Sequence, residues 1–271
     1  MASIGPTAHY TGHVWSRHGL SHPELATAEG RALYLAAEAA LLPLRLLRQP
    51  TIEDFLLARH LVIDAQLEAA IAEGRVGQVL EIACGMSPRG WRFTSRHPEL
   101  VYVEADLPGM AGRKRTALRR IGRPAGHRVV ALDALAESGP RSLAAVAAAE
   151  LDPGLGLAVI TEGLLNYLSR DAVQRLWSNV APLADLYLSD LFVAEDSPAV
   201  IGRAFSAALA AFVRSPVSLH FADAADAETA LRAAGFASAS VSRATDHPAA
   251  PSGRGAGLVR IVRAQGSPTA T

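Results

Sequence analysis

Cysteine is nearly absent from this chain. Cys84 is the only one in 271 residues, which excludes an intramolecular disulfide and a cysteine-rich metal cluster. Excess charge is absent too: 26 basic residues (Lys and Arg) balance 26 acidic ones, so no global field draws the protein to nucleic acid or an anionic membrane. Long apolar runs are missing as well. The most apolar early stretch, Leu33 to Leu47, is interrupted by Glu38, Pro43 and Arg45 and is too short to cross a bilayer. The N-terminus lacks the basic-then-apolar pattern of a signal peptide, so the chain reads as cytoplasmic. What it does have is apolar content. Half its residues are hydrophobic, enough to bury a substantial core.

Residues 1–22 carry His9, His13, His18 and His22 but no clear periodicity, and read as irregular. The spacings His9–His13 and His18–His22 would suit zinc only on a helix, so no metal is expected. From Pro23 to about Leu47 an Ala/Leu-rich stretch reads as helical with a break at Pro43. Thr51 with Asp54 forms a capping box for a helix that Gly74 stops, with Ile52, Phe55, Leu56, Val62, Ile63, Leu67, Ala70 and Ile71 on its apolar face. Beyond it, short apolar runs (78–83, 100–105, 128–132, 157–161, 186–192) alternate with helix-compatible segments, the pattern of βαβ units in a mostly parallel sheet. Two late runs, 239–243 and 258–262, predict a closing antiparallel hairpin at the sheet edge. With no internal repeat and no linker, residues 1–271 read as one domain, 1–50 an N-terminal helical lid or cap and 51–271 the α/β core. The last few residues are expected to fray.

The segment Glu81-Ile82-Ala83-Cys84-Gly85-Met86-Ser87 follows the first buried strand. It has one glycine and no P-loop lysine, so it is neither a phosphate loop nor a full dinucleotide turn. Glu81 would repel a pyrophosphate and suits a cation instead, such as the ammonium or sulfonium of S-adenosylmethionine (SAM). The next strand ends in Glu104 and Asp106, 23 and 25 residues after Glu81, where a ribose is held in such sheets. Glu104 alternatively caps the helix that follows. Asp133 and Glu162 end two further strands, so carboxylates line the rim where a ligand belongs.

These residues, together with Arg59-His60, Asp64, Pro88-Arg89-Gly90-Trp91, Leu107-Pro108 and Thr161-Glu162-Gly163-Leu164-Leu165-Asn166-Tyr167, resemble the leucine carboxyl methyltransferase family over roughly residues 8–195. The likeness is greater to the bacterial branch that resembles the carboxyl methyltransferase of tetracenomycin biosynthesis. The resemblance implies a class I, Rossmann-like SAM-dependent methyltransferase fold with an N-terminal helical lid. It implies that Arg59 binds the SAM carboxylate, Gly85 makes the first-turn contact and Asp106 holds the ribose. Asp133 with the backbone of Ala134 would contact the adenine, and Glu162 the methionine ammonium. The first turn departs from the glycine-rich, Asp-Arg-ending form common in the family, so the leucine-carboxyl substrate of the eukaryotic members is not implied.

Without that resemblance, Arg59 reads as a solvated partner of Glu53 or Asp54, and Asp64 as a partner of Arg59 or a plain exposed acid. Arg113-Lys114-Arg115 reads as a solvated helix face, and Cys84 as a small buried side chain. Arg89, at an expected helix N-terminus, is a candidate for a substrate carboxylate. Tyr10, Trp15, Arg17, His18 and Tyr167 are candidates to line the acceptor side, unless the aromatics simply pack the lid onto the sheet. No unambiguous general base is visible, which favours an acceptor that is already ionised: a small-molecule carboxylic acid. A phenol or alcohol acceptor using His18 or His13, a non-catalytic SAM-binding protein, and a nicotinamide oxidoreductase are the alternatives.

Overall fold

The computed structural model describes residues 5–46, 51–196, 218–252 and 254–266; the chain end expected to fray lies outside them. Short runs of β-branched and aliphatic residues form seven strands: β1 (Gln78–Ile82), β2 (Val101–Asp106), β3 (His127–Ala131), β4 (Leu157–Thr161), β5 (Leu186–Leu191), β6 (Phe236–Arg243) and β7 (Arg260–Gly266). They form one sheet in the order β3-β2-β1-β4-β5-β7-β6, with β1 to β5 parallel and the β6–β7 hairpin antiparallel at the edge. Strand order reverses between β1 and β4, which opens a crevice beyond their carboxyl ends.

Alternate residues of each strand feed two cores. Leu80, Ile82, Val103, Val159 and Tyr187 face helices α6 (Leu143–Glu150), α7 (Arg170–Val180) and α8 (Ala224–Ala233). Val79, Tyr102, Ala158, Ile160 and Leu188 face α3 (Ile52–Ala72) and α4 (Arg89–Arg96). Helix α5 (Pro108–Ile121) covers β3 through Leu118 and Val129. As expected, Thr51 and Asp54 form a reciprocal capping box on α3, and Gly74 follows its end at φ +71°.

Two expectations fail at the N-terminus. Residues 5–17 are not irregular but form helix α1 (Gly5–Arg17), which buries Tyr10, Val14 and Trp15 against Tyr34, Ile52 and Leu56. Packing supplies what local periodicity lacked. Helix α2 (Ala28–Leu46) runs through Pro43, which forgoes one hydrogen bond without ending it. Among the described residues no helix is long and apolar enough to cross a membrane.

Candidate active site

The crevice is bounded on one side by the turn after β1. Ala83 (φ +56°) and Gly85 (φ +50°) carry the chain sharply over the strand end. The Gly85 N–H donates to Asp106 Oδ2 at 2.7 Å, and the Leu107 N–H donates to Asp106 Oδ1 at 2.7 Å. Asp106 is thereby locked to the first turn. Burial pushes its carboxyl up in pKa more than those two N–H groups lower it. One strand further out, Asp133 accepts the Leu135 N–H at 3.1 Å and so orders its own turn beside Ala134. Helix α1 lies directly over this edge: a Cβ on Gly85 would stand 3.1 Å from Ala8 Cβ, and one on Gly12 only 2.9 Å from Met86 Cβ.

Across the crevice, Glu162 follows β4 and Asp190 lies on β5. Arg59 from α3 spans them, donating from Nε to Glu162 Oε1 at 3.0 Å and from Nη1 to Asp190 Oδ2 at 3.3 Å. The alternative of an Arg59 pair with Glu53 or Asp54 is therefore wrong. Glu53 meets His18 Nε2 at 2.5 Å, and Asp54 is spent on the helix cap. Burial alone would raise the Glu162 carboxyl, but His60, Arg89 and Arg59 hold it well below the usual carboxylate range. Asp190 goes the other way: burial raises it despite Arg59. Tyr167, one short 3-10 turn beyond Glu162, is half-buried near Arg59 and Asp190, and desolvation raises its phenol.

Three expected roles do not survive the geometry. Glu81 is 1% exposed, because the pleat turns it towards α4, and its cation is Arg89 Nη1 at 2.8 Å; Tyr102 donates to its other oxygen at 2.7 Å. Arg89 is 0% exposed and surrounded by Asp64, Glu81 and Glu162, so it offers no free donor to an acceptor carboxylate. Glu104 caps the preceding helix rather than the following one. It accepts the Gly90 N–H of α4 at 3.1 Å, and His127 Nε2 and Lys114 Nζ each stand 2.9 Å from it. Lys114 is consequently buried and does not belong to a solvated basic face, whereas Arg113 and Arg120 are exposed.

The lid candidates are packed. Tyr10 stacks on Tyr34, Trp15 stacks on His60 at 4.2 Å between ring centres, and Arg17 lies over the Tyr34 ring. His9 and His13 do share a helix, but His9 is bound to Thr27 and Arg113 and His13 lies against Tyr34. Cys84 is buried, and burial raises its thiol well above the ordinary value. An open cavity of about 830 Å³ lies behind Met86, between His9, Thr27, Glu29 and the α5 side chains Arg113, Thr116 and Arg120. None of Arg59, Asp106, Asp133 or Glu162 lines it, so it is separate from the crevice.

Sequence reasoning gave no role to His60, read Asp64 only as a partner of Arg59 or a plain exposed acid, whereas it is buried and meets Arg89 and Arg92, and gave none to Asp190. A helical projection of α3 could have found the first two: Arg59, His60 and Asp64 fall on the stripe of Leu56, Ile63 and Leu67, where solvated polar residues do not belong. Asp190 is hidden inside an apolar strand run, and only its placement beside Arg59 reveals it.

Residues 20–181 match the model of the family described as leucine carboxyl methyltransferase. A Mycolicibacterium gilvum protein, provisionally named an S-adenosyl-L-methionine-dependent methyltransferase, is 37% identical over 134 residues, 48% of this chain and 41% of that protein. A Mycobacterium marinum protein of the same name is 38% identical over 109 residues, 40% and 32% of the two chains. The chain thus covers less than half the length of these curated relatives. In fold it is similar to a DUF574 family protein from Streptomyces avermitilis, with a TM-score of 0.66 at 13% identity over 96% of this chain and 97% of the other. It is also similar to human N-acetylserotonin methyltransferase in complex with SAM, with a TM-score of 0.53 at 12% identity over 97% and 64%. At those identities the likeness is one of fold alone: a Rossmann-like methyltransferase sheet. With the family model covering more than half its length, this chain belongs to the leucine carboxyl methyltransferase family.

Proposed function

We propose that this protein is a SAM-dependent O-methyltransferase acting on the carboxylate of a small or mid-sized acid. The observation that carries the reading is the pair of charged groups facing each other across the β1/β4 crevice: Asp106 tied to the Gly85 turn, and Arg59 tied to Glu162. These groups match the ends of SAM. Asp106 would accept from the ribose hydroxyls, Arg59 would take the methionine carboxylate and Glu162 the ammonium. Asp133 and the Ala134 backbone would meet the adenine. When bound, SAM supplies an electrophilic methyl group on a sulfonium.

The chain's own task is then positional. It must hold an acceptor oxygen in line with that methyl at about 3–3.5 Å and exclude water, which α1 over the turn is placed to do. A carboxylate acceptor is already ionised and needs no general base. Tyr167, with its phenol raised, stays protonated at neutral pH and serves as a donor to the acceptor. Family membership favours the carboxyl acceptor over a phenol. Calorimetric titration with SAM and S-adenosylhomocysteine, repeated on Asp106→Ala, tests the cofactor site; wild-type binding with loss in the variant is expected. Transfer of labelled methyl from SAM to a panel of carboxylic acids and phenols tests the acceptor. A methyl ester releases methanol in alkali and an aryl ether does not, so an alkali-stable product would replace the carboxyl reading with the phenol one.

A further inference from the structure

Arg89 is closed off from any acceptor, and the manner of its burial gives it another task. Each part of its guanidinium meets a carboxylate on a different element. Nε donates to Asp64 Oδ1 of α3 at 2.5 Å, Nη1 to Glu81 Oε1 of β1 at 2.8 Å, and Nη2 to Oε2 of Glu162 beyond β4. Two of these partners are themselves braced, Asp64 by Arg92 at 2.8 Å and Glu81 by Tyr102 at 2.7 Å. A planar guanidinium pinned at two corners cannot swing, so its third corner dictates where Glu162 Oε2 stands. His60 Nδ1 lies 3.0 Å from the same oxygen. The other oxygen of Glu162 then meets Arg59 at 3.0 Å. The order of contacts runs from sheet and helix through Arg89 to Glu162, and from Glu162 to Arg59.

We propose that Arg89 is the positioning residue for the methionine end of the cofactor site, fixing Glu162 and through it Arg59 without touching the ligand. This rests on the reading of Glu162 and Arg59 as the groups that take the amino-acid end of SAM. A lysine cannot substitute, because a point charge on a flexible stem does not hold three carboxylates in a fixed fan.

The test uses two ligands, S-adenosylhomocysteine and 5′-methylthioadenosine; the second keeps the nucleoside but lacks the amino-acid end. In calorimetric titrations Arg89→Lys is expected to weaken S-adenosylhomocysteine by about tenfold or more, a loss of about 1.4 kcal/mol. It should leave methylthioadenosine within about twofold of wild type, the scatter of independent sites. In a Glu162→Gln background, adding Arg89→Lys should cost S-adenosylhomocysteine nothing further. Equal losses for both ligands, or additive losses in the double variant, would overturn the positioning role and leave Arg89 a structural residue. Should Arg89→Lys not fold, Asp64→Asn removes the charge from one pin yet keeps an acceptor. It should show the same ligand selectivity at about threefold, and its absence would count equally against the proposal. Wild-type protein that binds neither ligand would instead remove the cofactor reading itself.

Discussion

The guanidinium of Arg59 lies across the backbone of Gly163: a Cβ on that glycine would stand 2.6 Å from Nη2 and 2.9 Å from Nη1. Gly163 also sits at φ +66°, and its N–H donates to Asp190 Oδ1 at 2.6 Å, the same carboxylate that accepts from Arg59. One small residue therefore supplies a left-handed turn and the space for a charged side chain. Gly163→Ala is expected to cost about 1–3 kcal/mol in chemical denaturation. By displacing Arg59 it should also weaken SAM binding about tenfold or more, about 1.4 kcal/mol. An alanine variant with wild-type SAM affinity would detach Arg59 from the cofactor.

A second glycine predicts the reverse of the usual helix rule. Gly→Ala within a helix ordinarily stabilises by about 0.5–1 kcal/mol. At Gly90 the added Cβ would meet His127 Nε2 at 2.6 Å and Glu104 Oε1 at 2.7 Å, both fully buried. Gly90→Ala should instead destabilise by about 1–3 kcal/mol, read from the urea midpoint. A variant as stable as wild type would mean that α4 does not approach β2 this closely.

Acid stability should depend on Glu104. Burial would raise its carboxyl, but Lys114 and His127 bring it down from the ordinary 4.5 to about 2. A folded pKa below the unfolded one adds stability that is fully present above about pH 4.5 and drains away as the pH falls towards 2. Glu104→Gln, which cannot ionise, should flatten the melting temperature against pH across that window. It should also lower the neutral-pH melting temperature, because Lys114 loses its counter-charge. An unaltered slope would assign acid unfolding to other carboxylates.

Cys84 allows a simple check of the strand-to-turn geometry. Burial raises its thiol and conceals it beneath the turn. In the native protein at pH 8 a thiol reagent should react far more slowly than in denaturant, where the single thiol titrates fully. Rapid native labelling would mean that α1 and the turn open readily.

Several elements were legible because their signals are local. The run 157–161 coincides with β4 at both ends, and the Thr51/Asp54 box forms as expected. The edge hairpin was foreseen from two apolar runs separated by a polar turn, and pairs as β6 with β7. Asp106 was legible for the same reason, since an acid that ends the second strand must stand on the rim beside the first turn. Helix α1 was not, because its Tyr10, Val14 and Trp15 gain stability only from Tyr34, Ile52 and Leu56. The buried acids Glu81 and Glu104 misled in another way. Each sits near a strand end, but the pleat directs both to the face covered by α3, α4 and α5, where Arg89 and Lys114 receive them.

The sequence by itself determined the parallel sheet, the site of its first turn and the family resemblance, because hydrophobic period, capping residues and turn residues act over a few neighbours. Which cation each carboxylate meets was decided only in the tertiary structure. On its own helix Arg59 stands six residues from Glu53, about 1.7 turns, outside the three- or four-residue spacing of local pairs that supply about 0.2–0.5 kcal/mol. Burial instead placed it opposite Glu162 and Asp190, from segments more than a hundred residues distant in sequence. In a desolvated crevice an unmatched charge costs several kcal/mol, far more than any local pair returns, so the packing of α3 on the sheet selected the partners.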